Sequence, residues 1–270
     1  MRFVHKFGIL KPKVGIALSG GSTHGAAHIG VLKVLEREGV KVDMIAGTSA
    51  GALVGCAYAA GIPLDDIADI FKKMSWPQLL RPSLLRSLSL FDTSPMENFL
   101  REKIGSGEFK DLNIPFAAIA ADIVTSEKVV LDSGPLAPAV RASASIPGLF
   151  NPVEINGRML VDGGILDNLP VSQVKAMGAD YVIAVDLTKH EGPNKKPENP
   201  IEVIMDMIEI MQSRSTLPDP SEFDCYIRPE VLQFSKWDFS KADDIMTEGM
   251  KAAEKVMDKL RSDLRLKSKA

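Results

Sequence analysis

The stretch Gly47-Thr48-Ser49-Ala50-Gly51 constrains this chain more than any other. It lies between a short apolar run at 42–46 and a run of small residues at 50–60. Strand, sharp turn and helix follow one another there, and a Gly-x-Ser-x-Gly at such a junction reads as a nucleophile elbow. The glycines let the backbone turn tightly and the neighbouring chain pack close. The serine is left at the helix N-terminus, where free amides and the helix dipole favour an oxyanion. By itself the pattern is weak: with Gly and Ser each about 7% of residues, a chain of this length holds one by chance roughly one time in ten. Its surroundings decide.

Val14–Leu18 reads as a buried strand that runs into Ser19-Gly20-Gly21-Ser22-Thr23-His24-Gly25, followed by a helix with Ile29, Leu32 and Leu35 on its apolar face. Gly39 ends that helix as the residue past its cap. The next strand leads to Ser49, so the order is strand-helix-strand-helix, which predicts a parallel sheet with right-handed crossovers. The glycine loop resembles a phosphate loop, but Ala26 and Ala27 stand where a Walker loop has Lys and Ser/Thr. A dinucleotide fingerprint needs Gly at Ser22 and an acidic residue ending the second strand, where the chain has Ala46-Gly47. What remains is a run of backbone amides at a helix N-terminus, beside the serine if the two strands are neighbours. That is the geometry of an oxyanion hole; a plain tight turn is the alternative.

From 64 to 110 the chain turns helical and irregular, with leucines at 79, 80, 84, 85, 88 and 90 among Arg81 and Arg86. Two readings stay open: a lid whose leucines line an acyl groove or touch a membrane surface, or leucines that pack on the domain beneath. Strands are expected at 116–121 and 128–131, and a short helix at 141–147 stopped by Pro147. Asn156-Gly157 between 153–155 and 158–161 is a type I′ hairpin signal. The hairpin delivers Asp162-Gly163-Gly164, an aspartate that two glycines allow close to another loop, or else an ordinary Asp-Gly turn. The apolar strand at 182–187 carries Asp186, with His190 in the polar loop beyond. The helix at 201–214 has methionines at 205, 207 and 211, read as core filler. A last strand at 224–228 and a C-terminal helix at about 241–262 without a chemical role complete the chain.

The 270 residues, 45% hydrophobic and 25% charged, are enough for one large α/β core with an insertion, so 1–270 is read as a single domain with its core motifs at 14–186. A net charge of −3 without a polybasic cluster argues against nucleic acid and gives anionic lipid no electrostatic foothold. Cys56 and Cys225 form no disulfide framework and no zinc spacing, so buried reduced thiols are expected. His5, Lys6 and Gly8 break the N-terminal apolar run, and nothing approaches a membrane span, which predicts a cytoplasmic protein.

The glycine loop at 20–25, the serine elbow and Asp162-Gly163-Gly164, in that order, resemble the patatin-like phospholipase family. The run at 141–168, with its Ala-Ser-x-Ser-Ile-Pro-Gly, is similar to bacterial members. The resemblance implies a three-layer α/β/α sandwich with a mainly parallel sheet and a helical insertion. It implies a lipid acyl hydrolase that works through a Ser-Asp dyad, without histidine, metal or cofactor, on phospholipid, lysophospholipid or another fatty acyl ester. Ser49 matches the nucleophile, Asp162 the base, and Gly20, Gly21, Ser22, Thr23, His24 and Gly25 the oxyanion loop. Ser22 stands where a third glycine is usual, and His24 where an arginine or lysine is. Two rivals remain: an α/β-hydrolase triad through His190, and a non-catalytic lipid-binding protein that keeps the fold.

Overall fold

The computed structural model describes residues 11–83, 88–105, 107–188, 190, 196–215 and 219–266. His5, Lys6, Gly8, Leu84, Leu85, Arg86 and Lys189 lie outside them. The first half runs β1 (Val14–Leu18), α1 (Ala26–Arg37), β2 (Met44–Thr48), α2 (Ala50–Ala59), α3 (Leu64–Lys73), α4 (Trp76–Leu79), β3 (Arg81–Pro82), β4 (Phe91–Asp92), α5 (Ser94–Ile104), β5 (Phe116–Asp122) and β6 (Lys128–Leu131). The second half runs α6 (Leu136–Ser143), β7 (Val153–Ile155), β8 (Arg158–Asp162), α7 (Val171–Ala176), β9 (Tyr181–Val185), α8 (Pro200–Ser215), β10 (Cys225–Ile227) and α9 (Ala242–Leu264).

The main sheet has the order β10-β9-β1-β2-β5-β8-β7, with β6 also pairing β5. The five strands from β10 to β5 pair in parallel, while β8, β7 and β6 join antiparallel. This is the α/β fold the first two crossovers foretold, with the Asn156-Gly157 hairpin turning the far edge: Asn156 and Gly157 have φ of 52° and 73°, as a type I′ turn needs.

The central strands are buried along their whole length because both faces are covered. Alternate residues enter two cores. Ile16 and Leu18 point into the larger one, with apolar residues of α1, α2 and α9, while Ala17 points into a smaller one with Val171 and Val174 of α7. Small residues on the strands, Gly15, Ala17, Ala46 and Ala117, let the covering helices sit close to the sheet. α9, close to its expected span, contributes Ile245, Met257 and Leu260 to the larger core.

Two expectations are corrected, and the leucine-rich segment, for which two readings stand open, divides between them. The helix placed at 141–147 lies at Leu136–Ser143 and ends four residues before Pro147; it starts just after Pro135, a residue suited to a helix start. The leucine-rich segment is split: Leu79 is buried, whereas Leu88 and Leu90 are exposed beside the small β3–β4 pair. The methionines of α8 are core filler only in part: Met205 packs against the cluster of Ile146, Leu149, Phe150 and Ile208 and also lines a cavity, whereas Met207 and Met211 are exposed.

Candidate active site

Ser49 follows β2 directly and caps α2, with φ 53° and ψ −119°. For a residue with a β-carbon this backbone costs about 1–3 kcal/mol and persists only when its surroundings impose it. Here they do. A β-carbon on Gly51 would stand 2.2 Å from the Leu18 carbonyl oxygen, and one on Gly47 2.5 Å from that of Gly51. Both glycines are therefore required for α2 to start against the end of β1. The Ser49 amide donates to Ser143 Oγ at 2.9 Å, and that hydroxyl donates to the Ile119 carbonyl at 2.6 Å. Ser143, at the end of α6, thus ties the elbow to β5. In the sequence it stands only as part of the Ala-Ser-x-Ser-Ile-Pro-Gly run, with no role attached.

Asp162 ends β8, opposite Ala120 of β5, and its amide donates to the Ser145 carbonyl at 2.8 Å. A β-carbon on Gly163 would stand 2.4 Å from the Ile119 carbonyl oxygen, so the turn after Asp162 presses against the same strand that holds Ser143. The carboxyl is 1% exposed. Oδ1 accepts from the Gly164 amide at 2.8 Å, and Oδ2 makes no hydrogen bond of standard geometry among the described residues. Burial pushes its pKa up to about 6, against a downward pull from the neighbouring Ser49 hydroxyl and the Gly164 amide. A carboxylate in that range accepts a proton near neutral pH far better than an exposed one.

The glycine loop passes beside both groups. Of its amides, Gly20 donates to the Asn168 carbonyl, Thr23 to that of Lys236 and His24 to that of Gly21. Those of Gly21 and Ser22 make no hydrogen bond among the described residues, and these two residues line a cavity together with Ser49 and Asp162. Side chains fix the loop from the other direction. Ser22 Oγ donates to the Lys236 carbonyl at 2.6 Å, Thr23 Oγ1 to that of Ser235 at 2.9 Å, and His24 Nε2 to that of Phe234 at 2.9 Å. Burial lowers the His24 pKa to about 4, so the ring is neutral and serves as a donor to the chain. The segment 234–236 clamps the loop through backbone carbonyls, which leave no mark in a sequence.

The cavity is about 310 Å³ and is walled on one side by α8, through Glu202, Met205, Asp206, Ile208, Glu209 and Gln212. A second, smaller recess of about 40 Å³ opens from Ser49 between apolar side chains, among them Phe71, Met74, Leu79, Met96 and Phe150. Neither is lined by a histidine. His28 Nε2 donates to the Ser19 carbonyl at 2.8 Å, and His190 Nε2 lies 2.8 Å from Asp186 Oδ2, which also accepts from the Tyr226 hydroxyl.

This parallel α/β sheet with a strained serine elbow has counterparts. The family model for patatin-like phospholipase matches residues 16–175. An uncharacterized NTE family protein of Mycobacterium tuberculosis is 38% identical over 195 residues, 71% of this chain and 54% of the relative. Lysophospholipase NTE1 of Candida albicans is 32% identical over 279 residues, 89% of this chain and 20% of the relative. The chain belongs to the patatin-like phospholipase family, and it spans about half, or less, of the length of these curated relatives. Among solved structures, VipD from Legionella pneumophila has a TM-score of 0.62 at 15% identity, covering 93% of this chain and 67% of that one. ExoU from Pseudomonas aeruginosa, in complex with SpcU, has a TM-score of 0.54 at 15% identity over 96% and 53%. At such identities the likeness is one of fold.

Proposed function

We propose that this protein is a serine acyl hydrolase that cleaves fatty acyl esters of lipids through a Ser49–Asp162 dyad. The Ser49 hydroxyl oxygen attacks the ester carbonyl carbon while its proton passes to Asp162. The carbonyl electron pair moves onto oxygen, where the Gly21 and Ser22 amides receive it. The tetrahedral intermediate collapses to an acyl-serine, and the departing alkoxide takes the proton from Asp162. Water then repeats the sequence: Asp162 accepts its proton, the acid is released and Ser49 is restored. A carboxylate is a weak base for a hydroxyl, so proton transfer is concerted with attack and the two amides carry much of the barrier reduction.

The observation that carries this reading is Asp162: a fully buried carboxyl beside the strained serine, its pKa raised to about 6 and one oxygen uncommitted. The apolar recess behind Ser49 supports an acyl substrate. At about 40 Å³ it admits little more than one water-sized group, so a long tail must part the side chains of α3 to α5. The histidine triad is disfavoured because His190 is held by Asp186 and lies outside both cavity linings. The free, buried Cys56 and Cys225 fit the cytoplasmic location we propose. The test is hydrolysis of lysophospholipid by three variants. Ser49→Ala and Asp162→Asn are expected to be inactive yet folded, and His190→Ala nearly unchanged. An active Asp162→Asn with an inactive His190→Ala would instead install the triad.

A further inference from the structure

α8 carries apolar side chains on two sides: Ile208 is buried with Ile204 and Met205 packed beside it, and a second apolar set faces outward. Its polar side chains Glu202, Asp206, Glu209 and Gln212 face the cavity over Ser49. The outward set, Val203, Met207, Ile210 and Met211, is 41–56% exposed. Positions 203, 207, 210 and 211 recur at helical spacing, so they form one continuous outward stripe. More apolar surface adjoins it at both ends. The Leu90 amide donates to the Gly148 carbonyl, Gly148 faces Ile204 of α8, and Leu90 and its neighbour Leu88 are exposed. At the far end Ser215 Oγ donates to the Gly164 carbonyl, two residues before the exposed Leu166. Trp237, half exposed, stands at the cavity itself. Exposed apolar side chains therefore lie on and beside the helix that walls the cavity over Ser49. Exposed apolar patches of this kind mark docking surfaces.

We infer that the outer face of α8, with Leu88, Leu90 and Leu166, docks the protein on a zwitterionic lipid surface. The inference rests on the lipid acyl hydrolase reading for its purpose. Its chemistry comes from the charges. α8 carries three carboxylates against the single Arg214, and among the described residues only Glu209 of the three has a lysine partner, Lys236 at 3.2 Å. The outward stripe is uncharged and gains from burial in the interfacial region, while the carboxylates that line the cavity behind it, in a chain of net charge −3, are repelled by anionic head groups. Docked this way, the cavity wall of α8 sits against the lipid, and a substrate molecule passes from the surface to Ser49 without crossing bulk water.

Binding is measured by co-sedimentation with phosphatidylcholine vesicles, using Ser49→Ala protein so that turnover plays no part. A failure of the hydrolase reading would leave this result intact. The Ser49→Ala protein is expected to bind, to bind less when about a third of the lipid is phosphatidylglycerol, and to lose at least tenfold in partition when Met207→Gln and Ile210→Gln are added. In the Ser49 enzyme the same pair should leave hydrolysis of a short soluble ester unchanged, since neither residue lines the cavity. Unchanged binding of the pair, a preference for anionic vesicles, or a dimer by light scattering that the pair dissolves would overturn the inference. If the pair fails to fold, Met207→Cys labelled with an environment-sensitive fluorophore decides. A blue shift on phosphatidylcholine vesicles is expected, and its absence refutes the docking face.

Discussion

Replacing Asp162 by asparagine should abolish activity and make the protein more stable, and the size of the gain can be worked from the site. The carboxyl has a folded-state pKa of about 6 against an ordinary 3.8, chiefly because burial penalises its charged form. Between those values the folded protein holds a proton that the unfolded chain has released, so stability falls as pH rises through the window and stays low above it. Two units of pKa correspond to about 3 kcal/mol at pH 8. Asparagine is neutral at every pH, and its oxygen still accepts from the Gly164 amide. Its NH₂ group must find a partner, for which the Ser49 hydroxyl is available, so a net gain of about 2 kcal/mol is expected, several degrees in Tm. Urea unfolding of both proteins from pH 4 to 8 isolates this group, because every other titration cancels in the difference. The difference should be near zero at pH 4, grow between pH 4 and 6, and level off by pH 7. The same ionisation sets the acid limb of kcat/KM near pH 6. An Asp162→Asn protein less stable than its parent at pH 8 would refute the reasoning, since it would make the carboxylate a net stabilising group.

Burial lowers His24 and His28 from 6.5 to about 4, so the unfolded chain takes up protons that the folded one refuses, and stability is lost as pH falls from 6.5 towards 4. His28→Gln, measured by urea unfolding across that range, should flatten the loss by up to about 3 kcal/mol; an unchanged slope would contradict it. Ser143→Ala leaves the Ser49 amide buried without its acceptor and should cost about 1–3 kcal/mol of stability with a larger fall in kcat than rise in KM. Equal stability and turnover in steady-state assays would show that the elbow does not need this anchor. Leu79→Trp fills the apolar recess beside Ser49 and should impair long-chain lysophospholipid more than a short soluble ester, because each buried CH₂ of a tail is worth about 0.8 kcal/mol. Equal losses for both substrates would remove the recess from the acyl path.

The parts of the fold that close contacts dictate were legible in the sequence. β1 runs from Val14 to Leu18 as read, and the elbow glycines are where backbone oxygens leave no room for a β-carbon. The hairpin at Asn156-Gly157 was equally plain, because its turn demands positive φ. What failed had no local signature. The helix at Leu136–Ser143 was misplaced because Ser143 and Ser145 are buried by their roles at the elbow and at Asp162, which obscures the apolar period. The clamp from Phe234 to Lys236 acts through carbonyl oxygens that any residue possesses. The methionines of α8 read as core filler because methionine commonly fills gaps in apolar cores. That holds for Met205, packed beside Ile208, but Met207 and Met211 lie outside the inward stripe, which also carries the polar Glu202 and Asp206. The glycine loop was legible in the sequence only as a block, and hydrogen-bond partners are what distinguish the amides of Gly21 and Ser22 from the engaged ones.

The most direct test of the dyad is active-site labelling with a fluorophosphonate followed by peptide mapping of the adduct. The reagent reports nucleophile activation and needs no knowledge of the lipid head group. One adduct on Ser49 is expected, absent in Ser49→Ala, strongly slowed in Asp162→Asn and unaffected in His190→Ala. An adduct on another serine, or labelling of Ser49 that persists in Asp162→Asn but disappears in His190→Ala, would contradict the account.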